Sequence, residues 1–520
     1  MSHSFTSFSR RRLLQGFALG SAACILGDLS AGPAGAAVGG SGKLRRGNPA
    51  ELGVDPRAVG AFIDAVEQKV GGLHSFMLLR GGQVAAEAWW TPYAPAHPHM
   101  LYSLSKSFTS TGIGLAVAEG RLSVEDRVTS FFPDDLPSSI DQNLRKMQVR
   151  HLLSMSTGHE RDATGPTAAA KDGNWVRAFL ALPVEREPGT HFVYNSAATY
   201  MLSAIIQKLT GQTLLDYLTP RLLAPLGIRN ATWESDPRGI NTGGWGLSIK
   251  TEEIARFGQL YLQRGKWGDR QLVPESWVAE ASGKQIANGS NPNSDWNQGY
   301  GYQFWRCRHG AYRGDGAFGQ YCVVMPEQEA VLAITSGIGD MQAVLNAAWE
   351  HLLPGMQLAS GSSDAAAELE KKLKSRAVSA PQGKASSPTA ERVSGRVYRF
   401  ETNDDQIRSG ALTFGKGRAS LTLWDERGQR ELPVGSDEWL RGTAPLGGNP
   451  IIGSAGSMEK VATRGAWVDD DTYAIKTCYV ETPYVETTTW KFDGDRVTVT
   501  RKMNVGFGST DRPALTGRIA

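Results

Sequence analysis

The order of apolar and polar positions along the chain predicts helices and strands in a mixed arrangement. Apolar runs at 74–80 and 83–90 are separated by Gly81-Gly82, which is typical of a β-hairpin. Longer segments have the length and the flanking glycines of helices. We expect helices at 57–70, 104–118, 149–158, 197–209, 251–263 and 341–352. Thr251 is the expected N-cap of its helix, because two glutamates follow it in the first turn.

Apolar, strand-like runs dominate the region just before the last of these helices. The predicted strands cover 301–307, 311–316, 320–325 and 330–336. The chain therefore runs from a helix and a hairpin, through a long helical middle, to antiparallel strands and a final helix. This order predicts an α+β fold in which the N-terminal and C-terminal pieces share one antiparallel sheet flanked by helices.

The pattern changes after residue 360. Residues 361–394 are rich in Ala, Ser, Lys and Pro and contain one short helical stretch near 365–374, so we interpret them as a linker. Beyond it, short alternating runs are separated by turn residues, with a clear hairpin around Asp493-Gly494. We predict a first domain at 37–360 and a separate all-β domain at 395–520, a barrel or a sandwich.

Composition sets limits on the function. At 520 residues with 41% hydrophobic and 21% charged residues, the chain is typical of a soluble globular protein with more than one domain. The formal net charge is +3. That charge is too small to indicate a nucleic-acid partner.

The first 36 residues are predicted to be a signal for export. Arg10-Arg11-Arg12 resembles a twin-arginine motif, an apolar run follows at 17–26, and Ala34-Gly35-Ala36 offers a small-residue cleavage site. The apolar run is too short for a permanent membrane span. Lipid attachment at Cys24 is the disfavoured alternative, because Ser21 stands where such sites usually carry Leu. We therefore expect a periplasmic or secreted protein.

The cysteines and histidines indicate neither a metal nor a cofactor. Cys307, Cys322 and Cys478 remain after the predicted cleavage. Cys307 and Cys322 could pair in an oxidising compartment or stay as two buried thiols. No Cys/His spacing is typical of a metal site, and none of the nine histidines stands in a motif that marks a catalytic base.

The strongest chemical signal is Ser103, followed three residues later by Lys106 at the start of a predicted helix. This spacing places both side chains on one helix face. A serine hydroxyl attacks a carbonyl only if a neighbouring group takes its proton, and a buried lysine can do so because desolvation lowers its pKa. The following helix contains Gly112 and Gly114 within an apolar run, which predicts burial of Lys106.

Two other motifs are interpreted as accidental. Ser457 and Lys460 repeat the same spacing inside the predicted β-domain. The stretch 314–319 matches a dinucleotide-binding glycine pattern, but a strand follows it where that motif requires a helix.

The placement of Ser103 and Lys106 between a hairpin and a helical middle resembles the serine β-lactamase and penicillin-binding superfamily. The likeness extends over residues 73–353 and is strongest to its class C β-lactamase-like branch, which includes esterases, D-aminopeptidases and 6-aminohexanoate-dimer hydrolases. Members carry a Tyr-x-Asn element, matched here by Tyr194-Asn195-Ser196. The resemblance implies that Tyr194 is a base or proton shuttle, provided that Lys106 lowers the pKa of the phenol. Ser196 replaces the family's Asn.

The family's third element is Lys-Thr-Gly or His-x-Gly, and its best match is Gly314-Asp315-Gly316. The resemblance implies that Gly316 lets the backbone approach the substrate and that the N–H groups of Ala317 and Ser103 bind the oxyanion. The basic first residue is missing. Arg313 is adjacent, but strand alternation is expected to point it to the opposite face.

These residues predict an exported serine hydrolase that forms an acyl-enzyme at Ser103 and cleaves an uncharged ester or small amide. The enzyme alternative is a β-lactamase, D-aminopeptidase or DD-peptidase. The other alternative is a non-catalytic, wall-associated binding protein, which only Ser196 favours. Trp245, Phe318 and Tyr321 are either the lining of an apolar acyl pocket or part of the core.

Overall fold

The computed structural model describes residues 43–357, 363–446 and 457–520. The predicted signal for export and Cys24 lie outside these residues. No helix within the described part of the chain is both long and apolar enough to cross a membrane.

A six-stranded antiparallel sheet organises the first half of the molecule, as the sequence predicts. The strand Leu73–Arg80 pairs with the edge strand Gln83–Trp89 through the Gly81-Gly82 turn and with Ala330–Ser336 on its other side. The remaining strands, in order, are Gln320–Met325, Tyr312–Gly316 and Trp305–Arg306. The N-terminal and C-terminal pieces therefore lie side by side, with Leu78 opposite Leu332. Of the predicted strand 301–307, only Trp305–Arg306 is extended.

Helices cover both faces of this sheet. Pro56–Lys69, Met341–Ala347 and its π-helical continuation Ala348–Leu352 pack together over one apolar face. Thr251–Leu262 crosses the other face and contacts the strands Leu73–Arg80, Gln320–Met325 and Ala330–Ser336. Thr251 is the first residue of its helix and not the N-cap, because the Glu253 carboxylate accepts from the Lys250 N–H and sets the cap one residue earlier.

A helical subdomain completes this half. Its longest helices are Ser105–Ala118 and Ser196–Thr210, which pack against each other. The predicted helix 149–158 is shorter in the structure, ending at Leu153, because Met155 adopts a left-handed conformation. The other helices are Val128–Phe131, Gln142–Lys146, Thr164–Ala168, Trp175–Leu180, Leu214–Leu218, Glu275–Ser282 and Leu353–Gln357, with 3-10 turns at Tyr102–Leu104, Pro133–Asp135 and Pro326–Gln328 and a π turn at Thr219–Leu223.

Short strands join the loops of this half. His99–Met100 and Thr232–Trp233 pair on either side of Leu247–Ile249, and Lys266–Trp267 pairs with Arg270–Gln271.

The C-terminal residues form a barrel, the first of the two predicted architectures, and its strands pair antiparallel except where the ring closes. Nine of the described strands close the ring, because Gly435 pairs with Arg464, and Leu440–Pro445 is added at the edge. The strands are Tyr398–Phe400, Ser409–Gly415, Arg418–Asp425, Gly428–Gly435, Leu440–Pro445, Met458–Trp467, Thr472–Tyr479, Val485–Asp493, Arg496–Met503 and Asp511–Ile519.

The segment between the sheet and the barrel contacts both. Its helix Ser363–Lys374 packs on Pro56–Lys69. Further along, the helix Pro388–Val393 contributes Ala390 and Val393 to the barrel core. The domain boundaries at residues 360 and 394 stay a prediction.

The barrel also contacts the first half directly, beside the predicted site. The Met100 N–H donates to the Glu481 carbonyl at 2.8 Å, and the Asn504 amide donates to the Gly337 carbonyl at 2.9 Å. The three described cysteines, Cys307, Cys322 and Cys478, are buried free thiols. Of the two alternatives for Cys307 and Cys322, the structure therefore has the thiols.

Candidate active site

Ser103 lies in a single 3-10 turn that leads directly into the helix Ser105–Ala118. The preceding residue, Tyr102, has a left-handed backbone conformation with φ of 48°, which is unusual for a bulky side chain. This kink leaves Ser103 half-buried, whereas Lys106 is 1% exposed. The predicted burial of Lys106 is confirmed.

The Lys106 ammonium group has three acceptors. Its Nζ lies 3.0 Å from Ser103 Oγ, 2.9 Å from Ser196 Oγ and 2.7 Å from the Gly244 carbonyl oxygen. A charged ammonium can donate to all three. After loss of one proton, the amine can still donate to Gly244 and Ser196 while its lone pair accepts the Ser103 hydroxyl proton. The geometry therefore accommodates both protonation states of a proton-transfer group.

Burial lowers the pKa of Lys106 to about 7, and the nearby carboxylates of Asp162 and Asp315 counteract part of that shift. A lysine with this pKa is a neutral amine in a large share of molecules at neutral pH. A general base needs a pKa close to the working pH. The desolvation that the sequence predicts thus makes Lys106 a candidate base for Ser103.

Tyr194 lies beside the same two residues. The Lys106 Nζ lies 4.9 Å from its ring centroid, the ring stacks on Trp305, and the Ser103 side chain is near enough to lower the pKa of its phenol. Burial and the carboxylate of Asp315 raise the pKa of Tyr194 well above its usual value. The condition set from the sequence is a phenol pKa lowered by Lys106, and the shift at Tyr194 has the opposite direction. This direction favours a neutral phenol that relays a proton over an ionised base, and the role of Tyr194 stays a prediction.

The other two residues of the motif Tyr194-Asn195-Ser196 lie at the start of the helix Ser196–Thr210. Asn195 is its N-cap, with its side-chain oxygen accepting from the Ala197 and Ala198 N–H groups. Its cap geometry fixes Tyr194 and Ser196 on either side of Lys106. The Ser196 hydroxyl accepts from Lys106 as the family's amide would, so this replacement keeps a contact to the lysine.

The strand Tyr312–Gly316 runs along the other side of Ser103. A Cβ atom on Gly316 would lie 1.9 Å from the Leu101 carbonyl oxygen and 3.1 Å from the Ser103 nitrogen, so only glycine fits there. Ala317, partly buried, follows directly. This places the predicted oxyanion residues next to one another, although the donation itself by Ala317 stays a prediction.

The strand has no room for the family's basic side chain. A Cβ atom on Gly314 would lie 2.4 Å from Ser107 Oγ. Arg313 points to the opposite face, as alternation predicts, and its guanidinium forms a buried salt bridge of 2.8 Å with Asp315.

The accidental motifs behave as the sequence predicts. Gly314 to Gly319 joins two antiparallel strands, and Lys460 forms an ion pair with Glu481 on a barrel strand. Of the three aromatic residues considered for an acyl pocket, Trp245 and Tyr321 belong to the core. Only Phe318 lies beside the site, where it packs on Tyr102.

Sequence reasoning missed two contributors. The Gly244 carbonyl receives Lys106, and a Cβ at that position would lie 2.8 Å from the Ser196 carbonyl oxygen. The exposed carboxylate of Asp162 accepts from the Ser196 N–H at 3.2 Å. For the Gly244 carbonyl, the one available sequence signal was the glycine-rich run around residues 243–246. Asp162 had none, because it stands in no motif.

Comparison with known proteins agrees with this geometry. The sequence profile of the family described as "Beta-lactamase" matches residues 61–352, which is more than half of the chain. The chain belongs to this family. It is a serine hydrolase of the β-lactamase and penicillin-binding superfamily.

Relatives within the family have several names. The chain is 27% identical over 319 residues to the 6-aminohexanoate-dimer hydrolase of Paenarthrobacter ureafaciens, covering 56% of this chain and 80% of that protein. It is 26% identical over 194 residues to the D-aminopeptidase of Brucella anthropi, covering 35% and 37%. Among solved structures, the octameric penicillin-binding protein homologue from Pyrococcus abyssi matches 89% of this chain and 99% of that one, with 16% identity and a TM-score of 0.45.

Proposed function

We propose that this protein is an exported hydrolase of the class C β-lactamase-like branch, which cleaves an ester or a small amide through an acyl-enzyme at Ser103. The observation that carries the proposal is the position of the Lys106 amine. It contacts Ser103 Oγ at 3.0 Å and is held by two further acceptors, with a pKa near 7.

These contacts support the following proposal for acylation. The neutral Lys106 amine takes the Ser103 proton while Oγ attacks the substrate carbonyl carbon, and the N–H groups of Ser103 and Ala317 bind the oxyanion that forms. The Tyr194 hydroxyl then protonates the leaving group and is reprotonated from the Lys106 ammonium. Water completes the cycle by attacking the acyl-enzyme, with the same groups carrying its proton in reverse.

The surroundings of Gly314 support an uncharged substrate. Penicillins and peptidoglycan stems carry a carboxylate, and a charge-assisted hydrogen bond to it contributes about 1.5–3 kcal/mol. Neither Gly314 nor Arg313 is placed to supply that bond, because Gly314 has no side chain and the Arg313 guanidinium is paired with Asp315. A β-lactamase or D-aminopeptidase activity would need another cation.

Ser196 was the one feature that favoured a non-catalytic binding role, and its contact with Lys106 removes that support. Ser196 accepts a hydrogen bond from Lys106 at 2.9 Å, so its presence in place of Asn does not leave the lysine unsupported. The relatives named as hydrolase and peptidase also support an enzyme.

Export is part of the proposal and rests on the sequence of residues 1–36 alone. Secretion of a reporter fused behind these residues, and its loss when Arg11 and Arg12 are both changed to Lys, would test it. Secretion that persists in the double variant would contradict the twin-arginine route.

A substrate panel tests the chemistry. On protein beginning after residue 36, we expect a larger kcat/KM for p-nitrophenyl acetate or butyrate, or for a small amide, than for nitrocefin and a D-Ala-D-Ala peptide. We expect the difference to be about tenfold or more, the scale of one charge-assisted contact. Turnover of nitrocefin faster than that of every ester and amide would return β-lactamase to the leading position.

A further inference from the structure

A loop of the C-terminal barrel contacts residues that neighbour Ser103 and Ala317 in the chain. It connects the strands Arg496–Met503 and Asp511–Ile519, and the Met503 N–H closes its base by donating to the Thr510 carbonyl. Phe507 lies in this loop and is 49% exposed, one of the few large apolar side chains of the described residues with so much accessible surface. Its ring centroid is 5.5 Å from that of Tyr102 and 4.9 Å from that of Phe318.

Both contacts of Phe507 belong to residues that flank the reacting atoms. Tyr102 immediately precedes Ser103, and Phe318 immediately follows Ala317, so the residues that Phe507 contacts are chain neighbours of the nucleophile and of a predicted oxyanion donor. Tyr102 and Phe318 both have left-handed backbones, with φ of 48° and 68°. These backbones direct both rings away from the paths that ordinary strand or helix geometry would give them.

The two flanking rings are held firmly. The Tyr102 hydroxyl is hydrogen-bonded to the Tyr484 hydroxyl of the barrel at 2.7 Å. The Phe318 carbonyl accepts from the Ile338 N–H and the Ser336 hydroxyl. The base of the loop is held as well, since Asn504 contacts both Gly337 and Pro483. The residues on which Phe507 packs are therefore anchored, and part of its ring remains exposed.

We infer that Phe507 is a specificity-determining residue supplied to the active site by the barrel. Together with Phe318 it forms an aromatic wall that receives an apolar or aromatic group of the substrate. This inference rests on the proposed function, because it concerns the substrate of the same site. It goes beyond it by naming the barrel as part of the substrate-binding surface and an apolar substituent as the feature recognised.

A purely structural role would give a different result. If Phe507 only fastened the barrel to the first half, its removal would affect every substrate equally. If its ring contacts substrate, the loss grows with the size of the apolar group, since even one methylene in an apolar pocket changes specificity by about tenfold or more.

The test compares Phe507→Ala with the parent protein on two substrate series. The first keeps p-nitrophenol as the leaving group and lengthens the acyl chain from acetate to hexanoate. The second keeps the acetyl group and enlarges the alcohol from ethyl to naphthyl. The variant-to-parent ratio of kcat/KM cancels the intrinsic reactivity of each ester. We expect this ratio to fall by about tenfold between the smallest and the largest member of one series, and Phe507→Leu to restore part of it.

Val468→Ala is the matched control, because Val468 is a similarly exposed apolar residue of the barrel, 45% accessible, and lies next to Trp467 of the barrel core. Its ratio should stay near one for all esters. Size dependence in the acyl series would place the ring on the acyl side, and in the alcohol series on the leaving-group side. A ratio that is the same for every ester would overturn the inference while leaving the proposed function intact. A parent protein without Ser103-dependent turnover would overturn both.

Discussion

Lys106 keeps a low pKa although it has three acceptors within hydrogen-bond distance, because two of them are neutral hydroxyls and the third is a carbonyl. Neutral acceptors compensate a charged ammonium for its lost hydration less well than a contacting carboxylate does, so burial still lowers its pKa. The carboxylates that do act on it, Asp162 and Asp315, are not hydrogen-bonded to it and only limit the shift. The site therefore holds the pKa of the Lys106 amine near 7, so that its neutral form is well populated at neutral pH.

The pH profile of acylation should show this. Because the neutral amine is the reactive form, kcat/KM is expected to rise with pH through an inflection near 7 and to level off above it. Asp162→Asn keeps the hydrogen-bond acceptor but removes a charge that raises the pKa of Lys106, so the inflection should move to lower pH. Stopped-flow acylation with p-nitrophenyl acetate measures both profiles. An inflection that moves upward in the variant would contradict this account.

The variant Tyr194→Phe tests whether Tyr194 relays protons or is itself the titrating base. We expect the acylation rate to fall by about 10²-fold, the scale of lost acid–base assistance. The position of the pH inflection should not change, because the raised pKa of Tyr194 keeps it out of the titration. A rate close to that of the parent would show that Tyr194 only packs against Trp305. Loss of the inflection itself would make Tyr194 the titrating base.

At the scale of elements, the site depends on how closely the strand Tyr312–Gly316 approaches the turn Tyr102–Leu104. Glycines at 314 and 316 allow this, since side chains there would meet Ser107 and Leu101. This approach brings the backbone of the strand against the nucleophile. It explains why the strand begins with the large residues Tyr312 and Arg313 and has glycines at 314 and 316.

Gly316→Ala tests that approach. The added Cβ would lie 1.9 Å from the Leu101 carbonyl oxygen, so strand and turn must separate and Ala317 must leave its position. We expect kcat to fall by about 10²–10³-fold, the scale of a lost oxyanion donor. Gly339→Ala is the control, because a Cβ there has no neighbour within 4 Å. Equal activity of the two variants would remove Gly316 and Ala317 from the oxyanion assignment.

Local patterns predicted most elements, because alternation, helical spacing and glycine stops are encoded in neighbouring residues. They identified Ser103 and Lys106 as a pair, and the resemblance to the family added Tyr194. Local patterns failed where a distant group decides, because the Gly244 carbonyl reaches Lys106 only through the fold. The N-cap was misplaced by one residue although its determinant is local, since Glu253 lies only three positions from Lys250. The left-handed Tyr102 had no sequence signal, since no glycine or asparagine stands there.

On the scale of the whole molecule, the barrel is joined to the hydrolase half at the site itself. Alternation predicted an all-β domain, but nothing in the sequence of the barrel indicated where it would dock. The contact is built from side chains far apart in the chain, such as Tyr102 and Tyr484, whose hydroxyls meet in a buried hydrogen bond. Spacing rules cannot reveal a pair separated by 382 positions.

A double-mutant cycle on Tyr102 and Tyr484 measures the coupling free energy between the barrel and the first half at this contact. Tyr484→Phe leaves the buried Tyr102 hydroxyl without this partner and is expected to lower the free energy of unfolding by about 1–3 kcal/mol. Tyr102→Phe should do the same. The double variant should lose less than the sum, with a coupling of about 0.5 kcal/mol or more. Strictly additive losses in urea titrations would mean that the two hydroxyls do not interact in solution.

The central claim is that Ser103 is the nucleophile of a hydrolase, and intact-mass spectrometry after treatment with a fluorophosphonate probe tests it most directly. The parent protein should gain the mass of one adduct. Ser457→Ala, which removes the accidental Ser-x-x-Lys serine, should gain it too, and Ser103→Ala should not. An adduct that persists in Ser103→Ala, or its absence from the folded parent protein, would contradict the account.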